Sequence, residues 1–272
     1  MYNSSMPANF FFARHLGALP RSRCFGLSKM LACLWIAVLE QPASALVGPA
    51  REAPQFAPYT VMVKYGSGDD TSFCTASVIA SNAVLTAAHC VSGLGDTRVF
   101  YRGSQGKLIL FDATAIAIHP GYIPNAARRH LVSIDLALVR LGEPLPAAFK
   151  PVEIADSGEV TIGQRLQIAG FGRGDEEMSG TSGVLRAGIL VTAGPKSKSL
   201  AWLVDPDGTG LGGCTGDSGA PIFRIGEPQL IAVAIRAKGN NGYACGAITE
   251  AVQIWPQRPW IQATLRAWGI EE

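Results

Sequence analysis

Short apolar runs recur along the chain from residue 46 onward, separated by polar turns. They cover Tyr59–Tyr65, Ala76–Ile79, Ala83–Ala88, Arg98–Tyr101, Lys107–Phe111, Leu136–Leu141, Gln164–Ala169, Gly188–Thr192, Ala201–Val204, Pro221–Ile225 and Leu230–Ile235. Several alternate apolar and polar positions in part, and β-branched and aromatic residues are frequent, as in half-buried strands. Between them lie Gly93-Leu94-Gly95, Gly103-Ser104-Gln105-Gly106 and Gly239-Asn240-Asn241-Gly242, sequences that favour turns. About eleven short strands at this spacing predict an all-β sandwich or barrel. One helix is expected at the end. From Pro259 to Trp268, the residues Trp260, Ile261, Leu265 and Trp268 fall on one face, and Gly269 stops it. The stretch Gly172–Gly183, with Asp175, Glu176 and Glu177, reads as the most solvated part of the chain.

Composition agrees with many turns and a large core. There are 31 Gly and 17 Pro; 48% of residues are hydrophobic and 16% charged, which excludes a disordered chain. The 272 residues suffice for one large domain or two half-size ones. The net charge of +2 is too small to argue for nucleic acid or an anionic membrane as partner.

Residues 1–45 read as a signal peptide, the alternative being a buried N-terminal helix. Arg14, Arg21, Arg23 and Lys29 precede an apolar run, Met30–Leu39, and Gln41-Pro42-Ala43-Ser44-Ala45 ends in the small-x-small pattern of signal peptidase sites. The run is too short to span a bilayer, which takes roughly 20 residues, so no stable membrane insertion is expected after cleavage. The mature chain, 46–272, would carry 19 basic and 20 acidic residues. Cys24 and Cys33 leave with the leader. Cys74, Cys90, Cys214 and Cys245 remain, an even number that should pair in an oxidising compartment. Their spacing contains no C-x-x-C pair, which argues against a zinc site. The expected location is secreted or periplasmic.

Three segments carry candidate chemistry: Leu85-Thr86-Ala87-Ala88-His89-Cys90, Asp135-Leu136-Ala137-Leu138-Val139-Arg140-Leu141 and Gly216-Asp217-Ser218-Gly219-Ala220-Pro221. Each alone has a structural explanation. Together they supply a hydroxyl nucleophile, a base and a carboxylate to orient the base, which is what acyl transfer needs. The order His, Asp, Ser differs from that of α/β-hydrolases, and their nucleophile elbow is missing because Ala220 stands where its last Gly belongs. The backbone N–H groups of Gly216 and Ser218 are candidate oxyanion donors, since glycine leaves the approach open.

These segments resemble the chymotrypsin/trypsin-like family of serine proteases. His119-Pro120-Gly121-Tyr122, Ala169-Gly170-Phe171-Gly172 and Trp260-Ile261 resemble further landmarks of that family, and the likeness spans nearly all of 46–272 at scattered motifs. It implies two packed six-stranded antiparallel barrels with a C-terminal helix, in halves of about 46–150 and 151–272, and a site in the cleft between them. His89 and Asp135 would come from the first barrel and Ser218 from the second. The resemblance further implies Cys74–Cys90 and Cys214–Cys245 bridges, a substrate pocket at Gly212, Gly213 and Thr215, and protein or peptide substrates. The acyl-transfer chemistry needs no cofactor and no metal, and a monomer is expected. The resemblance also suggests that the new terminus Leu46 pairs with Asp217.

The chain departs from the pattern in places. Ala220 replaces a usual glycine and stands to crowd a backbone that needs positive φ. The Ser-Trp-Gly run of the family's substrate-binding strand is missing: Leu230–Gly239 has no Ser or Trp and reads Ala234-Ile235-Arg236-Ala237. Gly212 removes the pocket charge of trypsin-like members, which predicts an apolar or small side chain there, while Glu250, near another pocket wall, would restore a preference for basic ones. A catalytically weak or inactive binding module on the same fold is the alternative function, and an esterase of another fold is a third.

Overall fold

The strand Ala83–Thr86 is buried along its whole length, with side chains leaving alternately toward two apolar clusters. That double burial sets the architecture, in which two barrels share a packed face. The computed structural model describes residues 46–66, 72–91, 93–156, 158–178, 180–195 and 197–270. The expected leader, 1–45, lies outside them.

The strands are β1 (Arg51–Glu52), β2 (Thr60–Tyr65), β3 (Ser72–Ala80), β4 (Ala83–Thr86), β5 (Arg98–Arg102), β6 (Leu108–Ile118), β7 (Ala137–Leu141), β8 (Glu153–Ile154), β9 (Arg165–Gly170), β10 (Arg186–Pro195), β11 (Leu200–Val204), β12 (Pro221–Arg224), β13 (Gln229–Lys238) and β14 (Ile248–Gln253). The first barrel closes in the order β2-β3-β4-β7-β6-β5. The second runs β10-β11-β14-β13-β12-β9 and closes by pairing β10 with β9. Both are six-stranded and antiparallel. The short strands β1 and β8 pair with β10 and β13.

Val61, Val63, Val84, Val99 and Val139 fill the first barrel; Leu166, Ile168, Leu190, Leu203 and Ile222 fill the second. Between them Leu85, Leu136 and Leu138 meet Phe223, Leu230 and Val233, with the Phe56 and Phe223 rings stacked at 5.0 Å. Fully burying each large apolar side chain stabilises by about 1.5–3 kcal/mol. Helix α1 (Arg258–Ala267) buries Ile261 and Leu265 in this shared cluster, with Trp260 and Trp268 half-buried against it. It ends in a Schellman arrangement: Gly269, at φ +69°, donates to Arg266 O, and Ile270 donates to Leu265 O. No helix of the described residues is long and apolar enough to cross a membrane.

All eleven expected runs contain strand, whereas β1, β8 and β14 were not expected. The first two have two residues each and carry no periodicity. Strand β14 reads Ile-Thr-Glu-Ala-Val-Gln, and its Glu250 and Gln253 disguise a buried strand. Gln253 is satisfied locally, accepting from Val160 N–H and donating to Ser197 O.

Candidate active site

Strand register brings His89 and Asp135 together. Thr86 of β4 lies opposite Ala137 of β7. Three residues on from Thr86 and two back from Ala137, at the same end of the pair, stand His89 and Asp135. His89 sits in a single 3₁₀ turn, Ala88–Cys90, tied to β3 by the Cys74–Cys90 disulfide. Its Nδ1 is 2.7 Å from Asp135 Oδ2, and its backbone N–H donates to Asp135 Oδ1 at 3.0 Å. The carboxylate thus fixes both the ring and the backbone that carries it. The imidazole side chain is 35% exposed and the carboxylate 14%, so the ring is open to the cleft while its partner stays covered. Beside them Tyr122 has its hydroxyl pKa pushed up by burial and by the Asp135 charge.

Ser218 arrives from the other barrel, in the tight loop before β12. A trans peptide carries its C=O and N–H on opposite sides. Thr215 O accepts from Arg173 N–H at 2.8 Å, and Asp217 O from Ala220 N–H at 3.0 Å. The N–H groups of Gly216 and Ser218 belong to those same two peptides and therefore point away from these bonds. Gly216 needs to be glycine: its φ is +96°, and a Cβ would lie 2.9 Å from the Gly172 Cα. Ala220 is not among the residues with positive φ; it is fully buried in the second-barrel core, so the expected crowding does not arise.

Thr75 of β3 joins the two halves. Its N–H donates to Ser218 O at 2.9 Å, and its hydroxyl donates to Gly216 O at 2.9 Å while accepting from Phe171 N–H. Its carbonyl accepts from the Thr86 hydroxyl. Sequence reasoning missed this residue; its only signal was its place beside a half-cystine. Arg173, whose N–H fixes the Thr215 peptide, gave no signal at all.

His89, Asp135, Ser218, Gly216 and Thr215 line one cavity of about 670 Å³, within the usual size of ligand sites. Ile235 lines it too and packs on the Cys74–Cys90 bridge. Gly212 and Gly213 do not line it. Both are buried: Gly212 exchanges backbone bonds with Val47, and Gly213 N–H donates to Thr249 Oγ1 at 2.9 Å. Glu250 does line it, but its carboxylate is held in an ion pair with Arg236. The Cys214–Cys245 disulfide borders the same cavity. Glu176, from the stretch read as solvated, accepts the N–H groups of Ala244 and Cys245 at 2.8 and 3.1 Å and so braces that border. Among the described residues, the two clusters close enough to share a metal ion both rest on disulfide-bonded cysteines, which offer no thiolate.

Asp217 is buried behind the loop. Its carboxylate accepts from Gly172 and Cys214 N–H at 2.8 and 2.9 Å, and a side chain at Gly170 or Gly172 would run into it. Burial pushes its pKa up to about 7, against the pull of the two N–H donors. Leu46 is also fully buried, in the cluster that contains Ala220.

Comparison with known proteins agrees with this architecture. The Trypsin family matches residues 46–261. Brachyurin from Leptuca pugilator is 29% identical over 168 residues, covering 57% of this chain and 72% of its own. The solved structure of GrC superposes with a TM-score of 0.67 at 18% identity, over 80% of this chain and 99% of that one. An inactivated protease paralogue of the scabies mite superposes with a TM-score of 0.65 at 20% identity, over 81% and 99%. With its match across most of the sequence and its two closed barrels, the chain belongs to the trypsin family.

Proposed function

We propose that the chain is a secreted serine endopeptidase, acting as a monomer on proteins or peptides through Ser218, His89 and Asp135. The observation that carries the reading is the His89–Asp135 pair, 2.7 Å apart, lining one cavity with Ser218 and with two N–H groups directed away from their neighbours' bonds. Neutral His89 takes the Ser218 proton as the Oγ attacks the scissile carbonyl, and Asp135 holds the ring tautomer and stabilises the imidazolium. The Gly216 and Ser218 N–H groups receive the oxyanion, each contributing about 2.7–4 kcal/mol to the transition state. His89 then protonates the leaving amine, and water repeats the cycle on the acyl-enzyme. Cleavage of an unfolded protein by the 46–272 chain, and its loss in Ser218→Ala, tests the reading against a binding module on the same fold.

Specificity follows from charge. Glu250, which lines the cavity with Ser218, is already paired with Arg236. Substrates with uncharged apolar or small side chains are therefore preferred to those with Lys or Arg. Peptide libraries read this directly; a strong preference for Lys or Arg contradicts it.

Residues 1–45 serve as the export signal, and cleavage after Ala45 creates the working terminus. With a peptide bond on its N-terminal side Leu46 takes φ +62°, a strained conformation for a bulky residue. Cleavage removes the preceding carbonyl and that strain with it. The freed ammonium pairs with Asp217. Without that partner, Asp217 stays protonated in the native state up to pH of about 7, while the unfolded chain releases the proton near 4. Stability then falls as pH rises between those values and levels off above, a loss of about 4 kcal/mol. Pairing with the ammonium keeps Asp217 ionised and flattens the slope. Denaturation of the Leu46-terminated chain and of one with extra preceding residues, between pH 4 and 7, is expected to show the fall only in the extended chain. Equal slopes and full activity in both contradict the pairing.

A further inference from the structure

Two charged residues sit where the substrate strand borders the cavity. Strand β13 carries a bulge between Ala234 and Arg236, leaving Ile235 as the extra residue and setting Arg236 directly opposite Glu250 on β14. Directly opposed residues project to the same face, so the bulge is what turns the guanidinium onto the carboxylate. Ala234, just before the bulge, accepts from Gly219 N–H at 2.7 Å, which ties this part of β13 to the residue after Ser218. Both Arg236 and Glu250 line the cavity that holds Ser218. The carboxylate side chain is 4% exposed and the guanidinium 29%.

A carboxylate covered to this degree is costly unless a cation and hydrogen bonds compensate it. Arg236 supplies that compensation from within the chain, through its Nη2 and Glu250 Oε2. Resting on the reading that this cavity takes substrate, we infer that Arg236 occupies a cation subsite formed by Glu250 and so decides the charge specificity of the enzyme. The chain's own guanidinium stands where a substrate's Lys or Arg side chain would bind. The pair offers a substrate neither an open anion nor a free cation. Removing one member takes away the other's counter-charge, with opposite consequences.

Arg236→Ala vacates the subsite and leaves Glu250 facing it. Peptides with Lys or Arg on the N-terminal side of the scissile bond are then cleaved about tenfold faster relative to Ala peptides, equivalent to about 1.4 kcal/mol. Glu250→Gln keeps the shape and frees the guanidinium, so the same ratio rises about tenfold for Asp or Glu peptides. The double variant Arg236→Ala with Glu250→Gln shows neither gain. Lys238, which lies over the Trp202 ring at 5.7 Å, is another cation of this row, Trp202 being the partner of Glu250 on β11. Adding Lys238→Ala to Arg236→Ala removes it as a substitute.

Charge-scanned peptide libraries on the parent and these variants make the test. Methylguanidinium binding, read as a rise in Tm, gives a second readout that needs no catalysis, with a rise expected in Arg236→Ala and none in the parent or the double variant. Glu250→Gln retains the volume and an amide, so it keeps the test alive if Arg236→Ala fails to fold. If both single variants label with a fluorophosphonate yet keep the parent's charge preference, the inference is overturned. If no variant labels or cleaves but methylguanidinium stabilises Arg236→Ala alone, the cation subsite stands and the protease reading falls.

Discussion

Asp135→Asn is expected to lower turnover by about 10⁴-fold with little change in stability. The amide has the size of the carboxylate, and its oxygen can still accept from the His89 backbone N–H, now made to Asp135 Oδ1 at 3.0 Å. At the ring the outcome differs. Nδ1 now faces Oδ2 at 2.7 Å, which fixes the proton on Nδ1 and leaves Nε2 as the base. An amide NH₂ in that place favours the opposite tautomer, which cannot take a proton from Ser218, and it cannot stabilise the imidazolium. Steady-state kinetics with a peptide ester, beside thermal denaturation, separates the two effects. A variant that turns over within about tenfold of the parent would show that Asp135 does not orient the base.

Gly219→Ala is the second large effect. Gly219 has φ +83°, and a Cβ there would run into the Thr75 carbonyl and the Thr86 hydroxyl. Neither can move easily: both belong to the buried network in which Thr75 holds the carbonyls of Gly216 and Ser218. We expect a loss of about 3 kcal/mol or more in stability, and of about 10²-fold or more in activity as Ser218 is displaced. Gly226→Ala is the control. It has the same φ, +83°, but nothing lies within 4 Å of a Cβ there, so only the left-handed conformation is penalised, by about 1–2 kcal/mol. Equal destabilisation by the two would mean that the crowding at Gly219 is relieved at no cost.

Much of this was legible in the sequence. The apolar runs marked the strands of both barrels because most of them are buried over much of their length. The three motifs pointed to His89, Asp135 and Ser218 through their residue types and order, and the structure brings all three to one cavity. What stayed hidden depends on contacts between distant segments. Thr75 is a small polar residue on a strand; its place beneath Gly216 and Ser218 depends on how two barrels dock. Glu250 disguised β14 because a charge in a buried strand makes sense only once Arg236 is seen beside it. Of the residues expected at the substrate pocket, Thr215 lines the cavity, while Gly212 and Gly213 are buried with their backbones bonded to Val47 and Thr249. Glu176 likewise reads as a solvated acid until it meets the N–H groups of Ala244 and Cys245.

The most direct measurement is fluorophosphonate labelling of the 46–272 chain beside Ser218→Ala. The account predicts stoichiometric labelling of the parent and none of the variant, since phosphonylation needs an activated hydroxyl, a base and a formed oxyanion site together. An unlabelled parent that is folded, with both disulfides intact and Leu46 as its first residue, would contradict it, and the chain would then be a member of the trypsin family that binds without cleaving.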